Sequence, residues 1–230
     1  MNKFTLASLL GVVVFGMTLW LALISPEQIA HPVDGDTRDP VIAFEMVSSS
    51  AELTGVIGES RLQFPELREA LDRINRIDFI YMTAYGAFLS FFFLAVAEQR
   101  GDRRWLILSA VAIVAMLADV RENIALIALT RDGADVVPLL GMLVSSTWIK
   151  WGGLAIVALG AGAAIFEDKS MPTLRIIGLV AGISVFGFTC AAWLDPFKFP
   201  QYMALAIFLI WILQVVYAYR VWQAGAVSGS

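Results

Sequence analysis

The sequence predicts an all-α integral membrane protein: a six-transmembrane-helix bundle with an outer helical cap between the first and second helices. The chain of 230 residues is 59% hydrophobic and only 16% charged, whereas a soluble domain is about 45–50% apolar and about 25% charged. The apolar residues come in runs of about 20, the length of helix that crosses a bilayer. Basic residues gather at alternate ends of these runs, as multi-pass membrane proteins require.

Six apolar runs qualify as spans. They cover residues 5–25, 78–97, 105–129, 138–166, 174–194 and 200–222. The first follows Lys3, as a signal peptide would, but its apolar core is longer than the usual 7–15 residues and no A-x-A cleavage site follows. We therefore expect residues 1–25 to remain as the first transmembrane helix.

Lysines and arginines in short loops favour the cytoplasm. In a six-span arrangement, one side of the membrane carries most of them: Lys3, Arg100, Arg103, Arg104, Lys169, Arg175 and Arg220. This pattern predicts that both termini are cytoplasmic and that the loop 26–77 is periplasmic or extracellular. Without organelle signals, we expect a bacterial inner membrane.

The loop 26–77 is expected to cap the bundle. It opens with "SPEQIAHPVDGDTRDP", whose Pro, Gly and Asp residues indicate an irregular linker. The stretch "VIAFEMVSSSAELTGVIGE" follows with apolar residues partly on a helical period, and "FPELREALDRINR" has the Pro and acidic residues of a helix start. Residues 78–230 then form a five-helix transmembrane bundle with a short cytoplasmic C-terminus.

The third span contains charges that a membrane helix normally avoids. Its segment "MLADVRENIALIAL" includes Asp119, Arg121, Glu122 and Asn123, and a charge at the centre of a span costs roughly 2.5–3.5 kcal/mol. Helical geometry puts Asp119, Glu122 and Asn123 on one face and Arg121 nearly opposite. We expect Arg121 to be structural, pairing with Asp78 or with Glu45 of the cap.

Polar groups on neighbouring spans are expected at a matching depth in the outer half of the membrane. Asp78, Tyr81 and Tyr85 form one stripe on the second span, and Ser146 and Lys150 share a face of the fourth. The long Lys150 stem reaches towards the level of Asp119. The predicted ligand- or proton-binding cluster is Asp78, Tyr81, Tyr85, Asp119, Glu122, Asn123, Ser146 and Lys150.

The sequence lacks the residues that several kinds of chemistry require. His31 is the sole histidine and Cys190 the sole cysteine, so a histidine-ligated zinc site and a serine–histidine protease are excluded. No nucleotide-binding loop or basic stripe is present. We expect no cofactor and no nucleic acid, and Mg²⁺ or Ca²⁺ at Asp78, Asp119 and Glu122 stays an alternative.

The intramembrane charges make a functional site the first hypothesis. The expected function is binding of a small polar ligand, proton or lipid headgroup in an outward-opening cavity, with transport as one role. The first alternative is a membrane enzyme for a lipid or isoprenoid substrate, with Asp119 or Glu122 as base and Lys150 or a tyrosine as acid. The second is a subunit of a larger complex. The expected partners are the lipid bilayer and a small-molecule or lipid ligand. The sequence does not indicate an oligomeric state.

Overall fold

A computed structural model describes residues 2–32, 38–60 and 62–228, with side chains up to residue 224. Within these ranges the chain forms eight helices and no strand: α1 (Lys3–Ile24), α2 (Pro40–Glu45), α3 (Ser50–Ile57), α4 (Pro65–Arg100), α5 (Trp105–Leu129), α6 (Val136–Glu167), α7 (Pro172–Leu194) and α8 (Pro200–Ser228). Part of the predicted linker, 33–37, and residue 61 lie outside the described residues.

The predicted helical membrane architecture is confirmed in outline. Five helices, α1, α4, α6, α7 and α8, are long and apolar enough to cross a membrane. The sixth long helix, α5, contains Asp119, Arg121 and Glu122 within four residues, which lowers its suitability as a span. The count of six spans therefore stays a prediction.

The six long helices pack as a closed ring in chain order, with α8 returning to α1. The ring encloses an apolar core rich in aromatic side chains, such as Phe88, Phe92 and Phe93 of α4. Helices α6 and α7 approach each other most closely at Gly162 and Gly182, where a Cβ atom would lie 2.7 Å from a backbone oxygen of the other helix. This contact requires glycine, as is common between membrane helices.

Helix α4 is longer than the second predicted span because the expected cap helix at 65–77 continues into it without a break. No proline or glycine interrupts the sequence between Pro65 and Gly86, so no residue ends the helix there. It ends at Gly101, whose φ of 63° is left-handed and therefore suits glycine.

Two short helices, α2 and α3, form in the segment whose apolar residues are partly on a helical period, and we call them the cap. Asp39 caps α2 by accepting a hydrogen bond from the Val41 amide (2.8 Å). Ser49 caps α3 through the Glu52 amide (3.2 Å), and Glu52 accepts from the Ser48 amide (2.8 Å). These serine and carboxylate caps start a new helix, which divides the segment in two.

Arg68 of α4 joins the cap to the bundle. Its guanidinium is buried and donates hydrogen bonds to the carbonyl oxygens of Ile57 (2.9 Å), Gly58 (2.7 Å) and Thr130 (3.3 Å). The first two end α3 and the third follows α5. One side chain thus satisfies carbonyls from two segments and holds the cap against one end of the ring, which we call the cap end.

Candidate functional site

Lys150 lies at the centre of a buried cluster of charges. Its Nζ lies 2.8 Å from Glu45 Oε2, 2.8 Å from Glu122 Oε1 and 3.3 Å from Asp119 Oδ1. The Lys150 side chain is only 4% exposed and Glu122 is fully buried. We call Glu45, Asp119, Glu122 and Lys150 the carboxylate–lysine site. Its members come from α2, α5 and α6, so it joins the cap to the ring.

The helical period of α5 explains why its charges separate. Asp119, Glu122 and Asn123 are buried on the face towards α4 and α6, whereas Arg121 is exposed on the other side. The structure differs from the expected ion pair here. Glu45 pairs with Lys150 and not with Arg121, because Arg121 projects away from the face that meets the cap.

Hydrogen bonds extend the site towards α4. Tyr85 Oη donates to Asp119 Oδ2 (2.6 Å), and Asn123 Nδ2 donates to Asp78 Oδ2 (2.7 Å) and to the backbone oxygen of Asn75 (3.0 Å). Asp78 therefore interacts with a neutral amide. The Lys150 ammonium serves three other carboxylates, and one oxygen of Glu122, Oε2, has no hydrogen-bond partner among the described residues.

The charges of this region do not balance. Three carboxyl groups, those of Glu45, Asp119 and Glu122, contact a single lysine, and the carboxyl group of Asp78 lies next to them without a cation. An unpaired buried ion costs several kcal/mol, so the arrangement favours uptake of a proton or of a cationic group. At Glu45, which lies outside the spans, burial raises the pKa of the carboxyl while Lys150 opposes the rise.

A cavity of about 230 Å³ lies beside the carboxylate–lysine site, between α1, the cap and α4. We call it the cap cavity. Its polar wall includes Asp39, Glu45, Asn75 and Asp78, and its other lining residues are Thr18, Leu21, Ala22, Ser25, Val41, Ile42, Ile74 and Tyr81. Glu45 and Asp78 thus connect the cavity with the buried charges.

The two remaining residues of the predicted cluster, Tyr81 and Ser146, lie outside the carboxylate–lysine site. Tyr81 lines the cap cavity, and its Oη lies 3.0 Å from Thr18 Oγ1. Because Thr18 Oγ1 donates to the backbone oxygen of Val14 (2.9 Å), Tyr81 is the donor in that pair. Ser146 is fully buried one turn from Lys150, and its hydroxyl has no hydrogen-bond partner in the part of the chain that the structure describes.

Sequence reasoning missed four polar residues of the cap cavity: Thr18, Ser25, Asp39 and Asn75. Asn75 lies one turn before Asp78 on α4, and this i, i+3 spacing was an available signal. The other three carried no comparable signal. Ser25 and Asp39, for example, flank the linker and meet only in the folded chain, where the Ser25 hydroxyl donates to Asp39 (3.1 Å).

The three carboxylates of the site converge on the Lys150 ammonium. Among the described residues, no group of three His, Cys, Asp or Glu side chains is arranged to hold a metal ion. The arrangement instead combines charge pairing at Lys150 with a cavity at Glu45 and Asp78, which suits a polar ligand or a proton.

No protein-family model, curated protein or solved structure matches the chain.

Proposed function

We propose that this multi-pass membrane protein binds a small polar ligand in the cap cavity and that the carboxylate–lysine site stores or exchanges protons as the ligand binds. The observation that carries the proposal is the position of Glu45. Its carboxylate contacts Lys150 at 2.8 Å and also lines the cavity, so a ligand at Glu45 would change the charge balance around the buried lysine.

Transport is one role that such a site can serve. We propose the orientation predicted by the basic loops, with the cap on the periplasmic or extracellular side of a bacterial inner membrane. The cap cavity would then take up its ligand from outside. Loss or gain of a proton by one buried carboxyl would offset the ligand's charge inside the bundle.

The proposal is tested by native mass spectrometry of the purified protein, with identification of any molecule that it retains. The informative variant is Asp78→Asn, which keeps an oxygen to accept the Asn123 hydrogen bond and removes the charge. Asp72→Asn is its matched control, because Asp72 lies on the same helix, pairs with Arg76 and does not line the cavity. We expect the wild type and the control to retain a small molecule that Asp78→Asn loses. Identical retained molecules in all three proteins would contradict the proposal.

A lipid-modifying enzyme is the second candidate, and a specific feature favours it. An apolar groove of about 230 Å³ between α1 and α8 is lined by residues such as Phe15 and Trp211, and it shares Thr18 with the cap cavity. A lipid could place its chain in the groove and its headgroup beside Glu45 and Asp78. Conversion of an added lipid by the wild type, lost in Glu122→Gln, would support this function. Unchanged lipids would contradict it.

A further inference from the structure

We propose that the ligand of the cap cavity is a small organic ammonium compound that also carries a hydroxyl group. This inference rests on the proposed function and specifies the chemical class of its ligand. It follows from the charge of the cavity wall, from the spacing of its carboxylates and from one unpartnered amide.

The wall of the cap cavity is strongly acidic. Asp39, Glu45 and Asp78 line it, and no lysine, arginine or histidine is among the lining residues that the structure describes. Lys150 neutralises only part of this charge because it is shared with Asp119 and Glu122. In a low-dielectric cleft, wall charges of one sign attract the opposite sign and repel anions. The ligand is therefore a cation.

The distribution of the carboxylates favours an organic cation over a metal ion. A Ca²⁺ ion needs 6–8 oxygen ligands at about 2.3–2.6 Å around one point, whereas no such group of side chains occurs in the described parts of the chain. The acids are spread around a cavity whose wall also has an apolar part, which includes Leu21, Val41 and Ile42. Methyl or methylene groups of an organic cation would contact that wall.

The size and the aromatic residue of the cavity agree with this class. Drug-sized ligands occupy pockets of about 300–1,000 Å³, so a cavity of about 230 Å³ suits a smaller molecule. Tyr81 contributes an aromatic side chain to the wall, and aromatic faces attract ammonium groups.

Asn75 supplies an observation independent of the acids. It is a lining residue of the cavity and is only 3% exposed, and its buried amide nitrogen has no hydrogen-bond partner among the described residues. A buried amide donor without a partner lowers the stability of the folded protein. An oxygen acceptor on the ligand would remove that loss of stability, and a hydroxyl is the smallest group that supplies one beside the carboxylates.

Choline tests the proposal because it combines an ammonium with a hydroxyl in a small molecule. Its uncharged carbon isostere, dimethylbutanol, has the same shape and hydroxyl, and the anion dimethylbutanoate reverses the charge. The measurement is the unfolding temperature of the purified full chain in detergent with each compound. We expect a rise of about 5 °C or more at a choline concentration about 100 times its Kd, and no rise with the other two compounds.

Substitutions in the cavity wall test whether a shift in the unfolding temperature comes from binding in the cap cavity. Asp78→Asn should abolish the choline shift and Asp72→Asn should retain it. Asn75→Ala should weaken choline about tenfold while leaving binding of tetramethylammonium, which has no hydroxyl, unchanged. A choline shift that Asp78→Asn retains would overturn the proposal, as would an equal shift with dimethylbutanol.

The outcomes separate the ligand class from the proposed function. A shift with dimethylbutanol or dimethylbutanoate, absent with choline and lost in Asp78→Asn, would refute the ammonium class and leave polar-ligand binding supported. No shift with any compound would also refute the ammonium class, whereas the proposed function depends on the molecule retained in native mass spectrometry.

A phosphatidylcholine headgroup carries the same ammonium but has no hydroxyl, because its choline oxygen is esterified to phosphate. Protein in nanodiscs of phosphatidylcholine distinguishes a free ligand from this headgroup when it is compared with protein in nanodiscs of phosphatidylglycerol. We expect added choline to shift the unfolding temperature equally in both. A higher unfolding temperature in phosphatidylcholine that removes the choline effect would overturn the assignment of a free ammonium compound with a hydroxyl.

Discussion

Replacing Lys150 with methionine removes the one ammonium that serves Glu45, Asp119 and Glu122. Methionine keeps the length of the apolar stem, so the change isolates the charge. Lys150 is 4% exposed and has two carboxylate contacts at 2.8 Å and one at 3.3 Å. Removal of one partner from a buried ion pair costs about 3–5 kcal/mol, and each kcal/mol lowers the unfolding temperature of a chain of this size by about 2–4 °C. We expect a fall of about 6–20 °C.

Thermal unfolding of the detergent-solubilised protein, followed by tryptophan fluorescence, measures this fall. Lys169→Met is the control because Lys169 is exposed and should change the temperature by less than about 2 °C. Adding Glu122→Gln to Lys150→Met should recover about 1 kcal/mol or more, since it removes one uncompensated charge. A fall no larger than that of the control, or a double variant less stable than Lys150→Met, would refute the reasoning.

The loss of stability in Lys150→Met should depend on pH through Glu45. Burial already raises the pKa of Glu45 above its ordinary value of 4.5, and Lys150 opposes the rise. Replacing Lys150 with methionine therefore raises the pKa of Glu45 further. A carboxyl with a raised pKa binds its proton more tightly in the folded state. Its contribution to stability is therefore full below the ordinary pKa and is lost as the pH rises through the folded-state pKa. Lys150→Met should be closest to the wild type in stability at acidic pH. A difference that grows as the pH falls would contradict this sign.

Three further substitutions test other contacts, the first two by their effect on thermal unfolding and the third by hydrogen exchange. Tyr85→Phe removes the 2.6 Å hydrogen bond to a buried carboxylate and should cost about 1.5–3 kcal/mol, whereas Tyr202→Phe, at an exposed position, should cost almost nothing; equal costs would contradict the network. Gly182→Ala should cost about 1–3 kcal/mol by overpacking against α6, and Gly187→Ala, with open space around it, should not. Arg68→Lys cannot reproduce the forked donors, so hydrogen exchange in the cap should rise sharply; unchanged protection would show that other contacts hold the cap.

The sequence predicts the long helices well because their signal is local. A run of about 20 apolar residues identifies a span without knowledge of its neighbours, and the predicted third span, 105–129, has the bounds of α5 (Trp105–Leu129). The junction at 65–78 was harder to define, because the change from polar to apolar composition occurs inside one continuous helix, α4.

The site combines local and non-local information. Helical periodicity separates Arg121 from Asp119 and Glu122, and the depth argument brought Lys150 to the level of Asp119, where their charged atoms lie 3.3 Å apart. The role of Glu45 does not follow from its own helix, which has only six residues. Its place depends on tertiary contacts of the cap, such as that of Thr147 Oγ1, which lies 3.2 Å from the Glu45 backbone oxygen.

The cap cavity is lined by Glu45 and Asp78 but not by Asp119 or Glu122. Carbodiimide labelling of the folded wild-type protein at one pH, quantified for each peptide by mass spectrometry, tests this difference most directly. We predict fast labelling at exposed Glu69, slower labelling at Asp78 in the cavity wall, and protection of fully buried Glu122. Labelling of Glu122 as fast as that of Glu69, or complete protection of Asp78, would contradict the account.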